Sequence, residues 1–392
     1  MKRIFLSILI IFMASLIINE ADAQQPQTRR GGGFTQQGIQ NRRGGTMQAN
    51  TEPARPTGIE IVSKLEKPAN ARKLEEKDFA GYVMVYFKDQ DQCAYMAISK
   101  DGYNFTDINA GQKVFDGTIL AEQKGVRDPH ITRGPDGAFY LAMTDLHIFG
   151  QRAGYRETAW QRPEEKYGWG NNRALVLMKS YDLIHWTHSD FRVDTAFPEL
   201  GDIDCSWAPE TVYDEDAGKM MVYFTIRYNN RNANMYCSYA NDEFTKLETK
   251  PEMIPNIGGI DGDITKVGDK YHLYYVSSAR ILHAVSDKIS TGYVSDPNKI
   301  NPDRENTEAP NLFKRLGTDT WVLMYDIYGA RPNNMGFSET KDFVNYEHIG
   351  RFNEGQMKGT NFERPKHGAV TYITLDELKV VKEHWNVDIN LE

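Results

Sequence analysis

Three acidic residues begin short segments of similar sequence that lie far apart along the chain. Asp128 starts Asp-Pro-His-Ile-Thr, Asp261 starts Asp-Gly-Asp-Ile-Thr, and Glu308 directly precedes Ala-Pro-Asn-Leu-Phe. Two carboxyl groups in one concave site, one ionised and the other held protonated, can act as general base and general acid. Hydrolysis of a glycosidic bond needs this combination. If the fold brings the three residues together, the sequence therefore predicts acid–base chemistry on a sugar.

Each of these residues also has an ordinary structural explanation. Acidic residues near proline are common in turns that precede strands, which is the better explanation for any one position alone. Their occurrence at matching positions of a repeat favours a shared functional site instead. Buried like charges repel, so such a cluster raises the pKa of at least one carboxyl group, as an acid catalyst requires.

The repeat consists of two signatures that alternate from Gly81 onward, among short strands rich in aromatic and β-branched residues. The first signature is a strand that ends in serine and continues into a polar turn, often with an aromatic residue after it. The second is a segment that enters a new strand and returns after a glycine turn. The first signature begins at Ser99, Ser180, Ser238, Ser286 and Ser338, and the second at Asp128, Ala208, Asp261, Ala309 and His367.

Five copies in strict alternation predict an all-β, five-bladed β-propeller with blades of four antiparallel strands. The first serine signature precedes the first entry segment, and the last entry segment is the final strand. The N-terminal strands should therefore join the blade begun at His367 and close the ring. An ordinary multi-sheet β-protein with accidental repeats is the alternative. In a propeller the innermost strands line the axis, so the starts of the five entry segments should meet at one mouth of the ring.

The N-terminal part of the chain differs from this repeat. A basic start, an apolar run ending at Ile18 and the small residues of Ala21-Asp22-Ala23 predict a signal peptide over residues 1–23. A membrane anchor is the alternative. Residues 24–75 are rich in Gln, Gly and Arg and predict a flexible tether, which leaves 76–392 for the propeller. We expect an exported protein, periplasmic or extracellular after cleavage near Ala23, without a stable membrane span.

Composition limits the possible kinds of fold and binding partner. The chain has 392 residues and a hydrophobic fraction of 40%, enough for a sizeable core. Its net charge of −8 is spread without a long acidic block, which argues against nucleic acid or an anionic membrane as the main partner. The three cysteines are too few for a disulfide framework and are expected to be buried thiols.

About residues 80 to 380 resemble glycoside hydrolase family 43, a family of five-bladed propellers. Each motif is weak alone, but all five occur in the order that the family shows. The segments that carry the resemblance are Val126-Arg127-Asp128-Pro129, Trp207-Ala208-Pro209-Glu210, Ile260-Asp261, Thr307-Glu308-Ala309-Pro310 and Lys366-His367-Gly368.

The resemblance implies a role for each acidic residue. Asp128 corresponds to the general base, Glu308 to the general acid, and Asp261 to the residue that orients the acid and keeps it protonated. The implied reaction is a single displacement with inversion, for which the two catalytic carboxyl groups lie about 6.5–9.5 Å apart. Asp263 is an alternative orienting residue, although the register of the repeat favours Asp261.

Four further residues are candidates for binding, and one more is a rival for the general acid. Trp207 is expected to stack on a sugar face or to fill space between blades, and Asp145 to bond sugar hydroxyls. Arg331 is expected either at the mouth or in a solvated loop. The resemblance places His367 on the axis near a bound Ca²⁺ or Na⁺ ion, with a hydrogen-bonded core histidine as the alternative; no other cofactor is expected. Glu210 is a rival for the general acid but lies two residues past the axial position.

The expected substrate is an arabinose- or xylose-containing plant polysaccharide or oligosaccharide, as the resemblance implies. Few residues follow His367, which leaves no room for the C-terminal β-sandwich of many family xylosidases and favours an α-L-arabinofuranosidase. Aromatic residues between Asp145 and Arg173 are expected to close one end of the cleft and make the enzyme exo-acting. The alternatives are a β-xylosidase, an endo-arabinanase, and a galactosidase or galactofuranosidase of the same fold. More distant alternatives are a non-catalytic carbohydrate-binding propeller and a mannoside phosphorylase.

Overall fold

The structure, a computed structural model, describes residues 58–296, 300, 303 and 305–391. The predicted signal peptide and most of the predicted tether lie outside the described residues. Within the described part of the chain, no helix is long and apolar enough to cross a membrane. The three cysteines are free; Cys93 and Cys205 are buried as expected, whereas Cys237 is half-buried.

Short strands make up most of this region. In chain order they are β1 (Glu60–Ile61), β2 (Phe79–Lys88), β3 (Cys93–Ser99), β4 (Asn104–Asp107), β5 (Val126–Arg133), β6 (Phe139–Asp145), β7 (Ala174–Ser180), β8 (His185–Arg192), β9 (Cys205–Asp214), β10 (Lys219–Tyr228), β11 (Arg231–Tyr239), β12 (Glu252–Gly258), β13 (Ile260–Val267), β14 (Lys270–Ser277), β15 (Arg280–Ser286), β16 (Val294–Ser295), β17 (Thr307–Lys314), β18 (Trp321–Ile327), β19 (Met335–Thr340), β20 (Glu347–Arg351), β21 (Lys358–Gly359) and β22 (Lys366–Thr374). The helices are α1 (Gly117–Leu120), α2 (Glu164–Tyr167), α3 (Val193–Ala196), α4 (Leu375–Trp385) and the 3-10 turns Glu76–Asp78 and Pro198–Leu200.

These strands form five sheets, which confirms the predicted five-bladed propeller. Blade 1 contains β5 to β8, blade 2 contains β9 to β12, blade 3 contains β13 to β16 and blade 4 contains β17 to β20. Blade 5 combines β22 with β2, β3 and β4, so the N-terminal strands close the ring as predicted. The innermost strands contact one another in the cyclic order β5, β9, β13, β17, β22 and back to β5.

The hydrophobic core lies between the blades. Each of five buried clusters joins the apolar faces of two neighbouring blades, and together the clusters follow the ring. The cluster between blades 5 and 1 contains Val85, Leu141 and Trp186, and it also receives one face of α4. Because a single sheet cannot bury both of its faces alone, radial packing of all five is the arrangement that removes this apolar surface from water.

The structure differs from the predicted tether at β1. Glu60–Ile61 lie within the stretch assigned to the tether, but they pair in parallel with β8 at the outer edge of blade 1. Ile59 packs against the neighbouring hydrophobic core. The folded region therefore begins before residue 76, because this short apolar segment has an open strand edge available for pairing.

The inner strands share one irregularity that positions the site. Each is interrupted by a register shift at the start of its entry segment. A proline or glycine follows the first residue in every copy, and proline has no N–H to donate to the ladder. A positive φ outside glycine is uncommon and costs about 1–3 kcal/mol, so its fivefold recurrence marks a position that the fold over-determines. The φ angles are 50° at Asp128, 43° at Ala208, 48° at Asp261, 53° at Ala309 and 28° at His367.

Candidate active site

Asp128 lies at the bulge of β5 and has a separate partner for each carboxylate oxygen. Its Oδ1 is 3.3 Å from Nδ1 of His367, and its Oδ2 accepts a hydrogen bond of 2.8 Å from the Thr144 hydroxyl. The same hydroxyl oxygen accepts the Ala208 N–H at 2.8 Å. Burial favours the neutral acid, but His367 and the hydrogen bonds prevail and lower the pKa of Asp128 to about 2. Asp128 is therefore ionised at neutral pH, as a general base must be.

His367 has the complementary shift. Burial opposes its charged form, but the neighbouring carboxylates, led by Asp128, raise its pKa above the usual value. The two residues thus form a buried ion pair over the acidic and near-neutral range. This pairing holds the Asp128 carboxylate in one orientation at the mouth of the ring.

Glu308 belongs to a second group on the next inner strand. It lies on β17 directly opposite Asp326 of β18, and the Lys366 ammonium is 3.6 Å from Glu308 Oε1 and 3.3 Å from Asp326 Oδ2. Asp326 is fully buried, and neither of its oxygens has a hydrogen-bond partner among the described residues. Burial raises its pKa to about 7, with Glu308 adding to the shift and Lys366 opposing it. Lys366 remains a cation, because the surrounding carboxylates outweigh its burial and raise its pKa.

Asp261 interacts electrostatically with both groups, with Asp128 and His367 of the first and with Glu308 of the second. Its carboxylate accepts the Ala309 N–H, and its pKa is raised to about 7. Burial is the largest cause, and the charges of Glu308 and Asp128 add to it while His367 opposes it. The rival Asp263 instead accepts hydrogen bonds from the Asn311 amide and the Leu312 N–H.

Strand β22 connects the two predicted catalytic carboxyl groups. Its residue Lys366 contacts Glu308, and the next residue, His367, contacts Asp128. Asp128 and Glu308 are 180 positions apart in sequence (308 minus 128). Consecutive residues of one strand thus bring the proposed base and acid to the same mouth of the propeller.

A polar network continues outward from Lys366. Asp89 Oδ2 is 3.8 Å from the Lys366 ammonium, and its Oδ1 accepts a bond of 2.9 Å from Arg127. The Asn333 amide also donates to Asp89, at 3.2 Å. Arg331 is exposed, and among the described residues its link to this network is a hydrogen bond of 3.4 Å to Asn333 Oδ1. The structure therefore places Arg331 at the solvent side of the network rather than against the axial carboxylates.

Trp207 belongs to an aromatic group formed with the insertion after β6. Its indole N–H donates to the Gly170 carbonyl at 2.7 Å, and the Arg227 guanidinium lies 4.5 Å from its ring centroid. Trp169 lies edge-on to Trp207 with centroids 6.0 Å apart, and Trp160 is 5.4 Å from Trp169. Trp169 is 49% exposed, so this group presents an aromatic surface to solvent beside the axial position.

The structure does not bring Asp145 to the axial carboxylates. Asp145 is 1% exposed and accepts the Gln123 N–H at 2.9 Å. Burial and the neighbouring Asp190 raise its pKa well above the usual value. Ligand atoms of Glu122, Asp145 and Asp190 lie within 4.8 Å of one another, so these three could hold a metal ion.

A second ring of side chains lies two residues further along the inner strands. Glu210 is 2% exposed, accepts a 2.9 Å hydrogen bond from Tyr223, and has one oxygen 3.9 Å from His130 Nε2. Burial raises the pKa of Glu210 well above its usual value. His130, Glu210 and Asp263 form the other group of the described residues that could hold a metal ion. His367 belongs to neither group and uses Nδ1 to contact Asp128, so its predicted role as a ligand would need Nε2.

Sequence reasoning missed Lys366 as a site residue, and it missed Thr144 and Asp326. The repeat contained a signal for the latter two. Thr144 pairs with Arg127, which precedes Asp128 by one residue, and Asp326 pairs with Glu308, which precedes the equivalent ring position by one. Thr144 and Asp326 therefore occupy equivalent positions on the second strands of blades 1 and 4. Asp145 is one residue further along its strand, and alternation directs its side chain to the other face.

Comparison with known proteins identifies the family. Residues 77–379 match the model of a family related to glycoside hydrolase family 43 and described as a probable glycosyl hydrolase domain. The chain belongs to this family. Membership confirms the predicted resemblance and the predicted enzyme class, a glycoside hydrolase, and inversion is characteristic of family 43.

Individual relatives of this family member are distant. An α-L-arabinofuranosidase of Bifidobacterium longum subsp. longum is 25% identical, over 62% of this chain and 24% of its own length. The chain thus spans about a quarter of that relative. Among solved structures, the family 43 protein BlXynB from Bacillus licheniformis has 14% identity and a TM-score of 0.47, covering 73% of this chain and 55% of its own. An exo-β-1,3-galactanase from Clostridium thermocellum has 14% identity and a TM-score of 0.42, covering 61% and 50%.

Proposed function

We propose that this family member hydrolyses glycosidic bonds in side chains of plant cell-wall polysaccharides with inversion. In this proposal Asp128 is the general base, Glu308 the general acid, and Asp261 the residue that orients the acid. The observation that carries it is the contact of Lys366 with Glu308 and of His367 with Asp128 on one strand. Because these two residues are consecutive, their contacts support a site in which the base and the acid flank one glycosidic linkage.

The mechanism follows from the states of these groups. Asp128, ionised and held by Thr144 and His367, takes a proton from a water molecule, and that water attacks the anomeric carbon. The bond to the leaving oxygen breaks, and Glu308 supplies the proton that the leaving oxygen needs. Single displacement requires room for the water, with carboxyl groups about 6.5–9.5 Å apart.

Electrostatics favours Asp261 over Asp263 as the orienting residue. The charge of Glu308 contributes to the raised pKa of Asp261, whereas the pKa of Asp263 is raised to about 7 by burial while hydrogen bonds from Thr265 and β17 oppose the shift. Of the two aspartates, Asp261 is therefore the one whose pKa depends on the charge of Glu308, which supports it as the orienting residue.

The substrate proposed is a terminal α-L-arabinofuranosyl group, removed by exo action. Two observations support this choice: the α-L-arabinofuranosidase relative from Bifidobacterium, and the exposed Trp169, which lies edge-on to Trp207 beside the axial position and packs on the buried Trp160. Aromatic rings of this kind present apolar faces and fixed shape at a small entropic cost, as sugar subsites require. A closed end of the cleft would admit only chain ends.

A screen of aryl glycosides tests the proposed activity directly. Arabinofuranoside, xyloside, galactofuranoside and galactoside are compared for the wild type, for Glu308→Gln, and for the exposed Glu347→Gln of the same blade as control. We expect cleavage of the arabinofuranoside, retained by Glu347→Gln, and lost by Glu308→Gln when the leaving group is poor. Equal activity of Glu308→Gln on a substrate with a poor leaving group would contradict the acid assignment.

Natural substrates separate the remaining possibilities. Branched and debranched arabinan should release arabinose, whereas a ladder of oligosaccharides would show endo action. Sugar phosphate released in phosphate buffer would show a phosphorylase. Binding without cleavage of any substrate, unchanged in Asp128→Ala, would show a carbohydrate-binding propeller.

We also propose that the protein is exported, with cleavage near Ala23. The apolar run and small residues before that position support it. N-terminal sequencing of the protein recovered from its native host tests the proposal, and a mature chain that still begins at Met1 would contradict it.

A further inference from the structure

We propose that Asp326 and Lys366 form a positioning pair for the acid: Asp326 shares one proton with Glu308, and Lys366 neutralises the negative charge that the two carboxyl groups retain. The proposal rests on the role proposed above for Glu308. It assigns function to two residues outside the three carboxylates of the proposed mechanism.

The geometry requires Glu308 and Asp326 to interact. They are directly opposed on neighbouring antiparallel strands, where Cβ atoms are about 4.5–5.5 Å apart. Asp326 is 0% exposed, and among the described residues neither carboxylate oxygen accepts a hydrogen bond. The Lys366 ammonium lies between the two carboxyl groups at 3.3 and 3.6 Å, so it can balance only one negative charge. Two ionised carboxylates here are unfavourable, whereas one shared proton removes the excess charge.

Charge balance selects the number of protons. Two ionised carboxylates beside one ammonium would leave a net buried charge of about −1, and two protonated carboxyl groups would leave about +1. A single proton between them makes the trio neutral, which is the favoured state in a buried site. Lys366 is a fixed charge in this balance, since its pKa is raised.

Other charged groups face this trio from the elements packed around it. Asp89 contacts Lys366 from the segment after β2 and is paired with Arg127 of β5, which offsets its charge. From β13, β5 and β22 the remaining groups are Asp261, Asp128 and His367. The last two form an ion pair with each other. Asp261 acts on Glu308 through its charge, whereas Lys366 lies 3.6 Å from Glu308 Oε1 and Asp326 is its cross-strand partner.

In this proposal the Glu308–Asp326 carboxyl pair holds one proton before the reaction and regains one after it. Glu308 transfers its proton to the leaving oxygen, and Asp128 takes one from the attacking water. The carboxyl pair then holds no proton, and its extra negative charge faces Lys366 at 3.6 and 3.3 Å. Uptake of one proton by the pair and release of one by Asp128 to solvent restore the starting state.

The test is the pH dependence of kcat/KM on an aryl arabinofuranoside, or whichever aryl glycoside is cleaved, with a poor leaving group. In Asp326→Asn, Lys366 faces Glu308 without a compensating carboxylate and favours its ionised form. The basic limb should therefore move to lower pH by about 1 unit or more. In Lys366→Met the cation is lost, so the basic limb should move to higher pH by a similar amount.

Two controls accompany these variants. Asp319→Asn changes an exposed aspartate before β18 of the same blade and should leave the profile unchanged. The double variant Asp326→Asn with Lys366→Met removes both charges and should return the limb towards its wild-type position. If Asp326→Asn does not fold, the shift in Lys366→Met and its reversal in the double variant decide the question.

The outcomes distinguish this inference from the proposed function. Shifts of opposite sign support the positioning pair, whereas shifts of the same sign, or unmoved limbs in folded variants, overturn it. Glu308→Gln should abolish the basic limb. If it abolishes the limb while the other variants do not move it, the pair fails and Glu308 remains the acid. If Glu308→Gln leaves the limb intact, Glu308 is not the acid and both proposals fall.

Discussion

Replacing His367 by glutamine should raise the pKa of Asp128 and narrow the pH range of activity. The substitution removes the imidazole whose Nδ1 lies 3.3 Å from Asp128 Oδ1. Burial of Asp128, which opposes its ionisation, remains. We therefore expect its pKa to rise from about 2 to at least the ordinary value of about 3.9. The acid limb of kcat/KM should move up by about 2 pH units.

The same ion pair contributes to stability within a defined pH window. A shift of about 2 units corresponds to about 2.6 kcal/mol. Because the pKa of Asp128 is lowered, this stabilisation is present above about pH 3.9 and is lost as pH falls through about 2. Because the pKa of His367 is raised, the stabilisation is complete below about pH 6.5 and is lost as pH rises through the raised value. Both shifts describe one interaction, so their energies are not added.

The assay uses an aryl glycoside with a good leaving group, for which proton donation matters least. Its kcat/KM is measured from about pH 3 upward, where an ordinary aspartate begins to ionise. Urea unfolding is measured at about pH 5. His283→Gln is the matched control, since His283 is 5% exposed and lies in blade 3 away from Asp128. An acid limb and a stability at about pH 5 that coincide in wild type and His367→Gln would refute the reasoning.

Three further predictions follow from packing and contact geometry. Gly368→Ala places a methyl group 2.1 Å from a backbone carbonyl of β2 and should destabilise the ring closure by about 1–3 kcal/mol or more in thermal unfolding, whereas Gly258→Ala, with open space around it, should be tolerated. Glu377→Gln weakens the hydrogen bonds of 2.9–3.0 Å from Arg133 that fasten α4 to β5, and urea unfolding should show a loss of about 1.5–3 kcal/mol. Trp169→Ala should raise KM for arabino-oligosaccharides roughly tenfold with little change in kcat, as expected for lost uniform binding, and an unchanged KM would exclude Trp169 from the subsite.

The repeat in the sequence was enough to predict the architecture. Five entry segments in alternation with five serine turns predicted five blades, the closing of the ring by β2 on β22, and the equivalence of the axial positions. The structure confirms that equivalence through one shared backbone conformation at all five. The blade number was predictable because every blade of a propeller has the same strand arrangement, so the same sequence motif occurs five times.

The partners of the axial residues were less predictable. The position of Asp145 at the end of the second strand of its blade predicts a sugar contact, but strand alternation gives the axial face to Thr144 and directs Asp145 into a buried cluster. The bulge in each inner strand shifts the register by one residue, and a shift of one exchanges the two faces. Because the sequence does not show the strand register, it could not identify Asp326 as the cross-strand partner of Glu308.

Lys366 illustrates a second limit of the sequence. It belongs to the last-blade motif, but a lysine at the start of a strand is usually solvated. Its contacts with Glu308, Asp326 and Asp89 come from three other elements and depend on the closed ring. Such a long-range charge balance has no local signature, and three-dimensional placement is needed to find it.

The stereochemistry of the first-formed product tests the central claim most directly. Proton NMR of an early reaction mixture, recorded before mutarotation, identifies the anomer that the enzyme releases. Water activated by Asp128 opposite a proton donated by Glu308 predicts release of the anomer with inverted configuration. Release of the anomer with retained configuration would show a covalent intermediate, which needs carboxyl groups about 5–5.5 Å apart, and would contradict the assignment of Asp128 as a base.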